Sequence, residues 1–345
     1  MTGKERILAT IHGEAADHFA FMPISMSVAA DEIGVKYRIY AEDWRTQARG
    51  QVAFAEAFGA DHVSVISDPC VEATDLGART LAPEDQPAGF DDAQSLLRDK
   101  ALFSVLRLPA PGAGRRSSNR LAALTELKRQ VGKELLVEGW VEGPCAESAD
   151  LRGVSRLMMD FYDDPDFARD LVAFVTEMEI AFARAQIAEG ADIIGVGDAV
   201  SSLIGPGLFE EFALAAHRSY VEAIHEAGAL ARLHICGNAG SLLKFTKELG
   251  YDIIDLDSMV DPEMARQEAG GIQVFSGNLD PVRILRDGDA AVVMESLETC
   301  RRSLAPDLGR PGSKPWIVGA GCEIPRNTPR PNILAMRDFA RGHKE

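Results

Sequence analysis

Ala229-Leu230-Ala231-Arg232-Leu233-His234-Ile235-Cys236-Gly237-Asn238 is a short apolar run that ends in a histidine and a cysteine two positions apart. Side chains alternate along a strand, so an i, i+2 pair at its end projects to one face. Imidazole and thiolate on one face are two ligands that zinc accepts, although an isolated pair is equally a buried Cys beside a hydrogen-bonded His. The flanks give the run its context. Residues 207–227 carry a helical pattern stopped by Gly228, and residues 241–249 carry another stopped by Gly250. Glycine after the last helical residue is a common stop. The run is therefore a strand between two helices.

The same unit repeats outward in both directions. Strands are predicted at 19–26, 62–66, 135–141, 192–196, 229–233, 252–256, 272–275 and 316–318. Helices are predicted at 4–12, 44–58, 119–131, 166–189, 207–227, 241–249, 262–268, 290–304 and 330–341. Residues 72–83 suggest a hairpin, and 84–117 a polar excursion with one short helix. Short β-branched strands alternating with helices are the pattern of parallel βα units. Eight of them predict an α/β fold, a single-domain (β/α)8 TIM barrel over residues 1–345, with 70–117 inserted near the barrel mouth.

Composition narrows the function. The chain has 345 residues, 46% hydrophobic and 26% charged, with a formal charge of -17 from 36 basic and 53 acidic residues. An acidic chain without a basic block is a poor binder of nucleic acid or anionic membranes. The start Met1-Thr2-Gly3-Lys4-Glu5-Arg6 is polar, and no stretch approaches the roughly 18 apolar residues of a membrane span. Five scattered cysteines do not form a disulfide framework, so a reduced, cytoplasmic protein is expected. No dinucleotide or P-loop glycine motif is present.

In a barrel, chemistry gathers where strands end. The endings supply Asp68, Glu142, Cys145, Glu147, Asp198, His234, Cys236, Asp257, Asn278 and Cys322. Cys236 and Cys322 follow the fifth and eighth predicted strands, which open into the same mouth. With His234 they form a Cys2His set with one position open, the ligand count of a catalytic zinc. Glu147 and Asp198 are candidate fourth ligands or substrate-orienting acids, or else caps and loop bonds. Cys145 and Cys300 read as buried small side chains.

Several segments resemble the uroporphyrinogen decarboxylase superfamily. They are Gly59-Ala60-Asp61-His62 through Ser67-Asp68-Pro69, Gly143-Pro144, Ile204-Gly205-Pro206-Gly207-Leu208-Phe209, His234-Ile235-Cys236-Gly237-Asn238, Ser276-Gly277-Asn278-Leu279-Asp280-Pro281 and Gly321-Cys322-Glu323-Ile324-Pro325. The resemblance spans nearly the whole chain. HxC followed by a late Cys looks like its zinc-dependent cobamide methyltransferase branch, which includes methylcobamide:coenzyme M methyltransferases. That branch implies a barrel, with zinc held by the residues that match His234, Cys236 and Cys322. The decarboxylase branch carries an arginine-rich N-terminal motif around RQAGRYLPEY, and Ile24-Ser25-Met26-Ser27-Val28-Ala29 stands here instead.

The resemblance implies a reaction in which zinc activates a thiol for attack on a methylated cobalamin, or the reverse with a methylated substrate. Asp68 and Asp198 would orient substrate, and Asn278 would contact the cofactor. The corrinoid is expected on a separate carrier protein, because the chain lacks a D-x-H-x-x-G motif. Two rivals remain: a decarboxylase, for which only Arg152, Arg283 and Arg326 suggest themselves, and a non-catalytic ligand-binding barrel.

Overall fold

A computed structural model describes residues 1–269, 273–305 and 316–343. Six strands form one parallel sheet in chain order: His62–Ser64, Leu136–Glu142, Ile193–Gly197, Leu230–His234, Ile253–Leu256 and Val274–Gly277. Two short bridged segments close it. Ile317 N donates to Phe275 O at 2.9 Å, and Val318 pairs with Phe21. Asp61 N then donates to Phe21 O at 2.9 Å, which returns the ring to its first strand. Eight staves therefore enclose the core, as the βα count predicts. The predicted strand 19–26 shrinks to a bridge at Phe21. Pro23 has no N–H to continue the ladder. Ile272, at the head of another predicted strand, lies outside the described residues.

The barrel interior is layered. At the strand starts, Ile7 and Ile11 of the helix Gly3–His12 pack on Met22, Leu136, Ile193, Ile253, Val274 and Ile317. This is an apolar plug closing the bottom. One register step up, the interior turns ionic, with Glu138, Arg232, Asp255 and His62 all buried. Above that, Ile24, Ile66 and Trp140 form a small apolar cluster toward the strand ends. A much larger apolar shell joins the outer strand faces to the helices.

The outer elements depart from expectation where helices are short. Ser27–Glu32, Tyr37–Glu42, Pro144–Arg152 and Val154–Asp163 are helices that periodicity did not mark. Of the expected hairpin at 72–83, Val71–Asp75 is helical, and Thr80–Leu81 pairs instead with Gly89–Phe90. The excursion holds two 3-10 turns, Asp92–Gln94 and Lys100–Val105, and the next helix starts early, at Arg115. The excursion is tied to loops at the strand ends. Asp85 binds Lys36 and Arg326, and Arg152 donates to Leu97 O.

Gly195 makes room for the Trp140 indole, because a Cβ there would stand 2.2 Å from the ring. The substitution Gly195→Ala is expected to destabilise the fold by roughly 1–3 kcal/mol, the usual cost of overpacking a dense core. Chemical denaturation of the purified variant checks this. An unchanged midpoint would mean that the indole is free to move aside.

Candidate metal centre

His234 closes its strand, and Cys236 follows after one residue. The chain then turns at Gly237, whose φ of 84° is left-handed and suits glycine. The Gly237 N–H donates to Asp257 at 2.9 Å, which fixes the turn. Cys322 arrives from the far end of the sequence. Gly321 lets its loop lie against the 257–258 backbone, where a Cβ would stand 2.4 Å from Ser258 N. The Cys236 and Cys322 sulfurs are 3.5 Å apart. His234 Nε2 is 2.9 Å from the first and 3.7 Å from the second.

These spacings fit one ion. A tetrahedral zinc sets its sulfurs about 3.8 Å apart and each sulfur about 3.6 Å from a nitrogen. The His234–Cys236 edge of 2.9 Å would need to open by roughly 0.7 Å to match that nitrogen–sulfur spacing. Among the described residues, these three alone gather as His, Cys or acidic ligands in a set of three or more. Around a tetrahedral ion they would fill three corners of four.

The imidazole is aimed by what lies behind it. His234 Nδ1 donates to Asp255 at 3.0 Å. A carboxylate only accepts, so Nδ1 carries a hydrogen and Nε2 is the nitrogen turned toward the two sulfurs, where it can bind a cation once unprotonated. Arg232 Nε lies 3.0 Å from both Asp255 oxygens, and its Nη1 donates to Glu138 at 2.9 Å. Burial alone would raise Asp255, but Arg232 and His234 overcome it and hold this carboxyl below its usual range. Burial and then Arg232 push the neighbouring His62 down to about 3, so it adds no charge to this layer. Cys322 is drawn below the ordinary thiol range by hydrogen bonds from Cys236 and His234. Cys236, the donor to it, is raised.

The other predicted residues lie elsewhere. Asp198 is fully buried, with accepted bonds from Ala146 N at 2.7 Å, Ser201 Oγ at 2.6 Å and His217 Nε2 at 3.0 Å. It anchors the start of the helix Pro144–Arg152. Glu147 lies in that helix with both oxygens sealed and unpartnered. Burial and then Glu179 push it well above the carboxyl range, so it is a neutral acid. Asp68 pairs with Arg116 at 2.5 Å. Asn278 donates to Val260 O at 2.8 Å and Asp257 O at 3.2 Å, which ties two strand-end loops together. Cys145 and Cys300 are buried.

In the sequence Glu142 is one strand ending among several; the structure gives it a distinct setting. Its register partner is Gly197, and the partner of Gly197 is His234. Alternate staves fill one layer of a barrel, so Glu142 faces inward beside the His234 position across a gap left by glycine. Trp140 Nε1 donates to its Oε1 at 3.3 Å, and the indole lies 6.2 Å from the His234 ring. Burial and then Glu72 push Glu142 up to about 8.

A parallel eight-stave barrel with a Cys2His cluster at its C-terminal mouth defines the class. The chain belongs to the uroporphyrinogen decarboxylase (URO-D) family, whose model matches residues 2–343. It is similar to the methylcobamide:CoM methyltransferase MtbA of Methanosarcina mazei, 26% identical over 353 residues and covering 99% of this chain and 98% of that one. It is also similar to uroporphyrinogen decarboxylase 2 of Oryza sativa, 24% identical over 64% of this chain and 56% of that one. Among solved structures, a methyltransferase from Methanosarcina mazei superposes with a TM-score of 0.84 at 20% identity, covering 98% of both chains. A B12-independent methionine synthase from Shewanella shares the fold at a TM-score of 0.58 and 12% identity.

Two outcomes follow from this geometry. Asp255→Asn is expected to weaken zinc binding about 10- to 100-fold, the usual effect of removing the carboxylate behind a ligand histidine. Competition with a chromogenic chelator measures it, and an unchanged affinity would remove Asp255 from the centre. For Glu142, the folded value near 8 lies above the unfolded value, so the native state binds the extra proton and loses stability as pH rises from about 4.5 to about 8. Relative to wild type, metal-free Glu142→Gln is therefore expected to gain melting temperature across that window. A difference that is flat with pH contradicts it.

Proposed function

We propose that the protein is a zinc-dependent methyltransferase that moves a methyl group between a corrinoid on a separate carrier protein and a small thiol. The observation that carries this reading is the convergence of the ligand atoms of His234, Cys236 and Cys322, three where a structural zinc would have four. Relatives of nearly full length named methylcobamide:CoM methyltransferases support the corrinoid and the thiol. Zinc bound there would supply Lewis acidity, lowering the pKa of a thiol in the open position so that it becomes the nucleophile.

The chain's own residues do the rest. Asp255 keeps the His234 tautomer that presents Nε2, and Arg232 keeps Asp255 ionised. Two thiolates cancel the charge of a divalent ion, so an incoming thiolate meets a near-neutral centre. Trp140, Ile24 and Ile66 give the mouth an apolar wall that limits water. Of the arginines that a polycarboxylate would need, Arg283 is exposed on the surface, and several near the strand ends are already paired. Arg116, Arg120, Arg152 and Arg326 are each engaged by an acid: Asp68, Glu72, Asp160 and Asp31 with Asp85.

The purified protein is expected to hold about one zinc, as a single three-ligand site requires, and Cys322→Ala to hold far less. Metal analysis by plasma mass spectrometry reads both. With methylcobalamin and a panel of thiols, wild type should bleach the methylcobalamin spectrum and the variant should not. Consumption of uroporphyrinogen with no bleaching by any thiol would overturn the proposal.

A further inference from the structure

A thiol that enters a methyl transfer must lose its proton, and the carboxylates around the triad are mostly committed. Asp255 is engaged by His234 and Arg232. Asp257 accepts from Gly237 N and Met259 N. Asp68 holds Arg116, and Asp198 takes bonds from Ala146, Ser201 and His217. Glu323 accepts from the Ser27 N–H at 2.6 Å.

Glu142 differs from all of these. It accepts one long bond, from Trp140, on Oε1 only. It keeps 6% of its surface open, whereas Glu147 and Glu179 behind it are sealed. It shares the inward layer of His234, two strand spacings away, which places the two Cα atoms about 10 Å apart. The intervening residue is Gly197, and the Trp140 indole lies over it, with its ring nitrogen turned to Glu142 and its ring 6.2 Å from that of His234.

We propose that Glu142 accepts the proton of the thiol substrate as that thiol is activated at the His234–Cys236–Cys322 centre. The inference rests on the methyltransferase reading above. The S–H bond breaks heterolytically, its electron pair stays on sulfur, and the proton forms an O–H bond at Glu142 Oε2. No oxidant or reductant enters this step. The new thiolate lies close to Glu142 and raises its proton affinity further, so the proton is retained until the thioether leaves.

The surroundings tune the acceptor. Glu72 and Asp198 raise its proton affinity, and Arg120 and the Trp140 N–H lower it. Asp150, Glu147 and Glu179 stand behind as further raised acids, so the acceptor faces an acidic bank with one buried guanidinium. The result is a carboxyl poised near about 8, a value suited to exchanging a proton with a thiol close to neutral pH.

The test counts protons. Calorimetric titration of the zinc-loaded protein with a small thiol, in two buffers of different ionisation heat, gives the protons released on binding. At about pH 8.5, where Glu142 is largely ionised and an ordinary thiol about half protonated, wild type should release no proton on binding and show a small net uptake. Glu142→Gln, with unchanged zinc content, should release about half a proton per thiol bound. Glu142→Asp, which keeps a carboxyl, should fall back toward wild type, and it also serves if the Gln variant fails to fold. Equal proton release in wild type and the variants overturns the inference and leaves the methyltransferase reading standing. A wild-type protein that holds zinc and binds no thiol overturns both.

Discussion

The buried guanidinium of Arg232, held between Glu138 and Asp255, is the constraint on which the rest of the site depends. Two carboxylates and one cation are set in the middle of a barrel whose lower layer is entirely apolar. Charges there are costly unless each is bonded, and removing one partner strands the others. The three groups meet because their strands carry them inward: Arg232 and Asp255 stand on neighbouring staves, and Arg232 reaches Glu138 across the stave Ile193–Gly197. Asp255 Oδ2 accepts from His234 as well as from Arg232, and the metal-facing nitrogen is fixed as a consequence.

The same logic extends upward. Gly195 and Gly197 leave their inward positions empty, and Trp140 lies over that space. The indole separates the ionic layer from the mouth and carries Glu142 on its ring nitrogen. The three ligands come from two loops 86 residues apart in sequence, so no local element holds them. Closure of the ring through Ile317 and Val318 is what delivers Cys322 to the place where Cys236 stands. Fold and centre are therefore coupled: a barrel that did not close would present a two-ligand site.

Much of this was legible in the sequence. The eight strands could be read because β-branched runs ended at glycines and polar turns, and the barrel followed from their number. HxC at one strand end and a Cys after the last were enough to pick out the three side chains that meet at the mouth. What was not legible has physical causes. The helix Pro144–Arg152 is buried on nearly every side and shows no apolar stripe, and Val154–Asp163 follows it directly at Gly153. Asp198 and Glu147 looked like site acids because strand endings and loops expose no difference between a carboxylate facing the mouth and one facing a helix. The pairing of Arg232 with Asp255 did leave a trace: an arginine inside a strand that is otherwise apolar needs a buried acid, and Asp255 sits mid-strand in the next unit. Glu142 left none, because its meaning comes from register with Gly197 and His234.

The central claim is that one zinc binds to two sulfurs and one imidazole nitrogen. Zinc-edge X-ray absorption of the purified protein tests it most directly. The account predicts two sulfurs at about 2.3 Å and nitrogen or oxygen neighbours at about 2.0–2.1 Å, with one sulfur lost in Cys322→Ala. Binding of a thiol should add a third sulfur to the shell. A shell of light atoms alone, or two sulfurs that persist without Cys322, would contradict it.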